Sequence, residues 1–254
     1  MAISIEYAQI THRDPNPIKR WIQQRRLRDA ATILAAHPAG SRPRVLDFGA
    51  GDGELIRRLS EVRPIEATVY EPTREFLEQA QINLAAAERI SFAQSLHEVE
   101  SGVFDYVTCL EVFEHLPPEA TAEALRQIRR LLKPTGVAVI GVPHELYLPA
   151  LVKGCFRMVR RYGSFDARWR TVLAAAVGKP PAERPELTLA PGLSYYPQHT
   201  GFDYRALEQT LREQFRLEKR WFSPIAALGR WFNSEVYYQL RLQDVPPVAL
   251  RKAA

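Results

Sequence analysis

The chain is poor in sulfur, with two cysteines and two methionines in 254 residues. Two thiols, Cys109 and Cys155, cannot build the disulfide framework of a small extracellular fold. One of them lies in an expected buried strand, so a reducing compartment and a cytoplasmic location are expected. Long apolar runs are also missing, and none reaches the length needed to span a bilayer. Residues 1–14 lack the basic start and apolar stretch of a secretory leader. Extreme charge is absent as well. A net charge of +5 is compatible with a phosphate-bearing or acidic-membrane partner but requires neither. No internal repeat recurs along the chain.

What is present is an ordinary globular composition, 46% hydrophobic and 25% charged, in a chain long enough for one large core-bearing domain. The expected organisation is a single domain over 1–254. Residues 17–37 would form an N-terminal helix, 43–143 a binding core, 144–200 an insertion, and 201–243 a closing helix and strand pair. In the first helix Trp21, Ile22, Leu27, Ala30, Ile33 and Leu34 recur at helical spacing. Lys19, Arg20, Arg25, Arg26 and Arg28 lie between them; a solvated face is the ordinary role of such a cluster, a phosphate or membrane contact the sharper one.

The most informative stretch is Val45-Leu46-Asp47-Phe48-Gly49-Ala50-Gly51-Asp52-Gly53-Glu54-Leu55. An apolar run ends at a carboxylate, glycines follow at alternate positions, and a helix begins. This is how a strand, a tight turn and a helix start are written. The spacing differs from the dinucleotide fingerprint, because no two-residue gap precedes the third glycine. The turn carries Asp52 and Glu54 and no lysine, so a cationic or neutral nucleoside suits it better than a phosphate. Glu71, about 20 residues on at the end of the next strand, is where an acidic group accepts hydrogen bonds from ribose hydroxyls.

Strands and helices alternate after the turn. Strands are expected at Arg44–Phe48, Ala67–Tyr70, Ile90–Ala93, Phe104–Leu110 and Val137–Val142. Helices are expected at Leu55–Ser60, Arg74–Ala87 (capped by Thr73) and Pro118–Leu132, with a turn at Lys133–Gly136. This alternation predicts an α/β fold with a parallel sheet and helices on both faces. Residues 144–200 are too long for a plain connection and read as a lid, with helical pieces at Leu146–Arg161 and Ala167–Val177 and a proline-rich loop at 179–185. A helix at Tyr204–Phe215 and strands at Arg216–Trp221 and Glu235–Leu242 close the chain, the last two pairing antiparallel.

The glycine turn, Glu71, Ser95-Leu96, and the run Phe104–Leu116 containing Glu111-Val112-Phe113-Glu114-His115 together resemble the class I S-adenosylmethionine-dependent methyltransferases. The resemblance covers residues 43–143 closely and the C-terminal third loosely. It implies a Rossmann-like seven-stranded, mostly parallel sheet with an antiparallel last strand. It also implies S-adenosyl-L-methionine as cofactor. Gly49, Ala50, Gly51 and Gly53 would run beside its amino-acid moiety, with Asp47 holding the ammonium. Glu71 would bind the ribose, Pro72, Ser95 and Leu96 would border the adenine, and Leu110 and Glu111 would close the methionine side. His97 would lie near the adenine edge.

Glu111, Glu114 and His115, with His199 from after the insertion, form a candidate set for a divalent metal such as magnesium. A similar arrangement occurs in ubiquinone-pathway O-methyltransferases and in small-RNA terminal 2′-O-methyltransferases. His115, Glu111 and His144 are the candidate catalytic groups, and a base or a helix cap is the plainer role of His115. The expected reaction is O-methylation of a small or lipid-like molecule. The alternatives are metal-assisted RNA 2′-O-methylation and a cofactor-binding scaffold without turnover. The apolar and basic load of the insertion, including Leu151, Val152, Phe156, Met158, Val159, Arg160 and Arg161, is either lid packing or a surface for a greasy or acidic-headed substrate with peripheral membrane contact.

Overall fold

The computed structural model describes residues 37–190 and 193–243, together with Trp21, Gln24, Arg25, Arg28 and Thr32. Trp21, Gln24, Arg25 and Arg28 are helical; the rest of the expected N-terminal helix, with Lys19, Arg20 and Arg26 of its basic cluster, lies outside the described residues.

The strands are β1 (Arg44–Phe48), β2 (Glu66–Tyr70), β3 (Ile90–Ala93), β4 (Phe104–Leu110), β5 (Leu132–Pro143), β6 (Leu187–Ala190), β7 (Leu193–Tyr195), β8 (Phe215–Ser223) and β9 (Glu235–Leu242). The α-helices are α1 (Glu54–Val62), α2 (Arg74–Asn83), α3 (Pro118–Leu131), α4 (Tyr147–Arg161), α5 (Trp169–Ala176) and α6 (Tyr204–Gln214). Seven strands form one sheet in the order β3-β2-β1-β4-β5-β9-β8. Pairing is parallel from β3 through β5, and β9 runs against both β5 and β8. The expected mixed sheet is therefore present.

Alternate residues of each central strand enter different cores. Leu46, Val107, Ile140 and Tyr238 pack with α3 and α6, through Leu125, Ile128, Leu207 and Leu211. Val45, Val69, Val139 and Tyr237 pack with α1 and α2, through Ile56, Leu59, Leu77 and Ala80. Both faces are thus covered, which is why β1 and β4 read as apolar runs rather than alternating ones. The strand order reverses between β1 and β4. Their carboxyl ends open the crevice where α/β sheets receive ligands.

Three local expectations change. Lys133–Gly136 is not a separate turn but an irregularity inside β5, where the register with β4 jumps between Phe104 and Tyr106. Thr73 occupies the position before α2 but makes no side-chain cap; its backbone N–H instead donates to Glu71 Oε1 at 2.9 Å. The insertion contains an antiparallel hairpin, β6–β7, besides its helices. Both cysteines are free thiols, Cys109 buried and Cys155 exposed. Among the described residues no helix is long and apolar enough to cross a membrane.

Candidate functional site

The turn between β1 and α1 needs glycine by conformation. Gly49, Gly51 and Gly53 have φ of 75°, 56° and 76°, a left-handed region that side chains with a Cβ avoid. Gly49 is also held by space, since a Cβ there would come within 2.5 Å of Val112 Cγ2.

The turn is stitched to β2. Gly49 and Ala50 both donate to the Tyr70 carbonyl, at 2.9 and 3.0 Å. Gly51 N–H donates to Glu71 Oε2 at 3.0 Å, while Thr73 N–H holds Oε1. Glu71 is buried, and burial pushes its pKa up against these two hydrogen bonds. Its carboxylate is therefore fixed at the rim of the turn.

Asp47 faces Thr108 across the β1–β4 pair and accepts from Thr108 Oγ1 at 2.9 Å. Burial raises its pKa to about 7, Thr108 opposes the shift, and the carboxylates of Glu71 and Asp52 add to it. Three carboxylates around one turn favour a cationic ligand. Glu54 is not a fourth: its oxygens accept from Arg57 and Arg58 of its own helix at 2.7–2.9 Å. That corrects the expectation of a turn made acidic by both Asp52 and Glu54.

On the expected adenine side, Gln94 Nε2 donates to the Pro72 carbonyl at 3.2 Å. Ser95 Oγ accepts the N–H of His97 and opens a 3-10 turn, Leu96–Glu98, whose Leu96 is buried. Leu110 ends β4 half-buried. Glu111 follows with φ 57°, a strained conformation for a residue with a Cβ, while its N–H donates to the Gly141 carbonyl at 2.9 Å.

A second group lies one step beyond. Phe113–His115 forms a 3-10 turn in which Glu114 is fully buried. His115 and Tyr196 pair in both directions: His115 Nδ1 lies 2.7 Å from the Tyr196 carbonyl, and Tyr196 N–H donates to the His115 carbonyl at 2.8 Å. A carbonyl only accepts, so Nδ1 carries the proton and Nε2 is left with its lone pair. The His199 ring meets that of His115 edge to face at 4.9 Å. Glu114 Oε1 lies 3.8 Å from His115 Nε2 and 3.9 Å from His199 Nε2. Burial lowers the pKa of both imidazoles. The potential donor atoms of these three side chains all lie within 4.8 Å of one another. Glu111 is not part of this cluster, so the four-residue set expected from the sequence contracts to Glu114, His115 and His199.

Sequence reasoning missed the side chain that joins the two halves of this cluster. Arg184 Nη2 donates to the carbonyls of Glu114, at 2.8 Å, and of Gln198, while its guanidinium lies 4.2 Å over the Tyr196 ring. Only the proline-rich setting of residues 179–185 marked this loop, and that gives no hint of a long-range contact. Below it, Glu145 is buried between Lys153 and Arg157. Burial alone would raise its pKa, but the two cations hold it at about 2.

His144 is placed elsewhere. It is fully buried among the rings of Tyr147, Tyr204 and Phe222, its Nδ1 sits 2.9 Å from the Asn233 carbonyl, and burial lowers its pKa to about 4. It is not among the donors of the cluster, and its surroundings are those of a packed aromatic core. His37 is half-buried, with the Tyr106 ring edge to face at 5.7 Å.

A Rossmann-like sheet with a carboxylate-ringed glycine turn at its switch point defines a class, the nucleoside-binding α/β enzymes. The particular family follows from comparison: a profile described as a methyltransferase domain matches residues 19–207. The chain belongs to that family, in its class I S-adenosylmethionine-dependent form. The ubiquinone biosynthesis O-methyltransferase of Pseudomonas aeruginosa is 33% identical over 147 residues, which are 55% of this chain and 57% of that protein. The chain thus spans little more than half the length of the curated relatives it matches. In fold it is similar to the PH0226 protein of Pyrococcus horikoshii OT3, with a TM-score of 0.60 at 12% identity, covering 94% of this chain and 97% of that one. It is also similar to the N-methyltransferase NodS of Bradyrhizobium japonicum in complex with S-adenosyl-L-homocysteine, with a TM-score of 0.54 at 15% identity, covering 91% and 90%.

Proposed function

We propose that this chain, acting as one domain in the cytoplasm, transfers a methyl group from S-adenosylmethionine to an oxygen of a small or lipid-like molecule. The observation that carries the reading is the adjacency of two unlike groups. Gly49 of the carboxylate-ringed turn lies too close to Val112 to admit a Cβ, and two residues after Val112 begins the Glu114–His115–His199 cluster, with Glu114 buried and both imidazoles half-buried. One group suits a cationic nucleoside and the other a proton-bearing acceptor. The name of the Pseudomonas aeruginosa relative supports oxygen as the accepting atom.

S-adenosylmethionine brings a methyl group already activated on a sulfonium, so the protein's task is placement and proton removal. Glu71, with each oxygen fixed by a backbone donor, presents acceptors to two neighbouring ribose hydroxyls. Ionised Asp47 faces the amino group. His115 Nε2 takes the acceptor's hydroxyl proton as the oxygen bonds to the methyl carbon and the carbon–sulfur electron pair stays with sulfur. Glu114 stabilises the imidazolium that forms, and residues 144–200 act as the lid that keeps water out.

Glu114, His115 and His199 also fit a divalent metal. Two imidazoles and one carboxylate suit a borderline transition ion better than magnesium, which prefers oxygen ligands. The carbonyl of Tyr196 orients His115 as outer partners orient metal-bound imidazoles. Such an ion would polarise the acceptor oxygen.

Calorimetry with S-adenosylmethionine tests the cofactor half. Wild type should bind, and Glu71→Ala should bind at least tenfold more weakly; equal binding overturns the assignment. Turnover of methyl-labelled cofactor with phenolic and lipid-like hydroxyl compounds, with and without a chelator, tests the acceptor half and the metal separately.

A further inference from the structure

Helices α4 and α5 are built inside out. Against the rest of the fold α4 buries Pro149, Ala150 and Gly154, and Gly154 is so close to Val172 that a Cβ would lie 2.5 Å from Val172 Cγ1. Three of its large apolar side chains face outward, Val152, Phe156 and Val159, the last 87% exposed. Their spacing of four and three places them on one stripe. The second helix does the same. It buries Val172 and Ala175 and exposes Trp169, Leu173 and Val177, again on one stripe. Tyr162 lies exposed in the connection. Scattered exposed apolar residues need no explanation, but two packed helices that each leave three large apolar residues outside along one stripe do.

The patch is basic. From 146 to 182 the sequence holds seven lysines and arginines and a single acidic residue, Asp166. That aspartate is buried and paired with Arg157 and Arg161. Arg160 lies over the Phe156 ring at 5.5 Å, and Arg170 over the Trp169 ring at 5.4 Å. Phe156, Arg157, Arg160 and Arg161 line a hollow of about 330 Å3 on the same face.

We propose that the outer face of α4 and α5 docks on a bilayer surface that carries anionic phospholipid, with the arginine-lined hollow receiving a phosphate headgroup. Apolar stripes of valine, leucine, phenylalanine and tryptophan enter the boundary between headgroups and acyl chains, and arginines beside them meet anionic lipid. A nucleic-acid backbone would answer the arginines alone. It offers nothing to Val152, Val159, Leu173 and Val177, so the aliphatic content of the face decides for the bilayer. This docking does not depend on the methyl-transfer reading, and cofactor binding in the absence of lipid reports on that reading separately.

The test is sedimentation of the full chain with vesicles of phosphatidylcholine, with or without about 30% phosphatidylglycerol. The wild type should partition at least tenfold more strongly onto the anionic vesicles. Phe156→Ser combined with Val159→Ser, which leaves the charge unchanged, should lower that partition at least tenfold. Arg160→Gln should reduce the preference for anionic over neutral vesicles. These positions are exposed, and far-ultraviolet circular dichroism checks that the variants fold. Failure to bind anionic vesicles, or binding unaffected by the serine pair, overturns the proposal. So does binding of single-stranded RNA that is lost in Arg160→Gln while vesicles are ignored.

Discussion

Asp47→Asn replaces a buried carboxylate that has two more carboxylates, Glu71 and Asp52, acting on it. Its pKa stands at about 7 against an ordinary 3.8. A carboxylate whose pKa is raised by folding opposes folding once it must ionise. The cost is absent well below pH 3.8, where both states are protonated. It grows as the unfolded chain ionises first, and it is complete above pH 7. At 1.36 kcal/mol per unit it amounts to about 2 kcal/mol at pH 5 and about 4 kcal/mol at pH 8. Asparagine keeps an oxygen to accept from Thr108, so the substitution removes charge and little else. Urea unfolding of cofactor-free protein should therefore show Asp47→Asn as the more stable form, with its advantage widening by about 2 kcal/mol between pH 5 and pH 8. An advantage that is independent of pH, or a variant less stable than wild type at pH 8, refutes the electrostatic reasoning. The ligand should reverse the ranking. Wild-type affinity for S-adenosylmethionine should fall by up to about tenfold for each pH unit below 7, whereas the asparagine variant should bind weakly at every pH.

Other substitutions probe the geometry. Gly49→Ala places a Cβ against Val112 at a positive φ and should cost about 1–3 kcal/mol in urea unfolding, with a parallel loss of cofactor affinity. Glu111→Gly relieves the left-handed strain at the end of β4 and should raise stability by about 1 kcal/mol while lowering turnover, a split readable from one denaturation series and one activity assay. Arg184→Met removes the donors to the Glu114 and Gln198 carbonyls; turnover should drop at least tenfold while calorimetric affinity for S-adenosylmethionine stays within threefold, because the turn at Gly49–Gly53 does not touch Arg184.

The glycine turn and the carboxylates beside it were legible because their determinants are local. Asp47, Gly49, Gly51 and Gly53 lie within seven residues, and Glu71 ends the next strand, so short-range pattern and spacing locate all of them. The strands β1 to β4 were legible for a related reason: burial on both faces leaves compact apolar runs bounded by turn residues. The failures are long-range. Nothing near Arg184 announces a contact with a residue 70 positions earlier. The cluster keeps Glu114 and excludes Glu111 because the backbone reverses at Glu111, and a sequence pattern does not carry that φ. His144 has the residue type of a catalytic base, but three aromatic rings from separate elements enclose it. The β6–β7 hairpin is made of strands of four and three residues beside a proline-rich loop, too short for an alternating pattern to register.

The contact between Arg184 and Glu114 also bears on how such a domain can change its chemistry. The glycine turn and its carboxylates lie within residues 47–73, whereas the second group is split, with Glu114 and His115 just after β4 and Tyr196 and His199 near the end of the insertion. Residues 184–199 therefore form a cartridge held to the end of β4 by the Arg184 guanidinium and by the paired hydrogen bonds of Tyr196 with His115. A cartridge of different length or side chains would present a new set of groups beside the turn without disturbing the hydrogen bonds that hold Glu71 there.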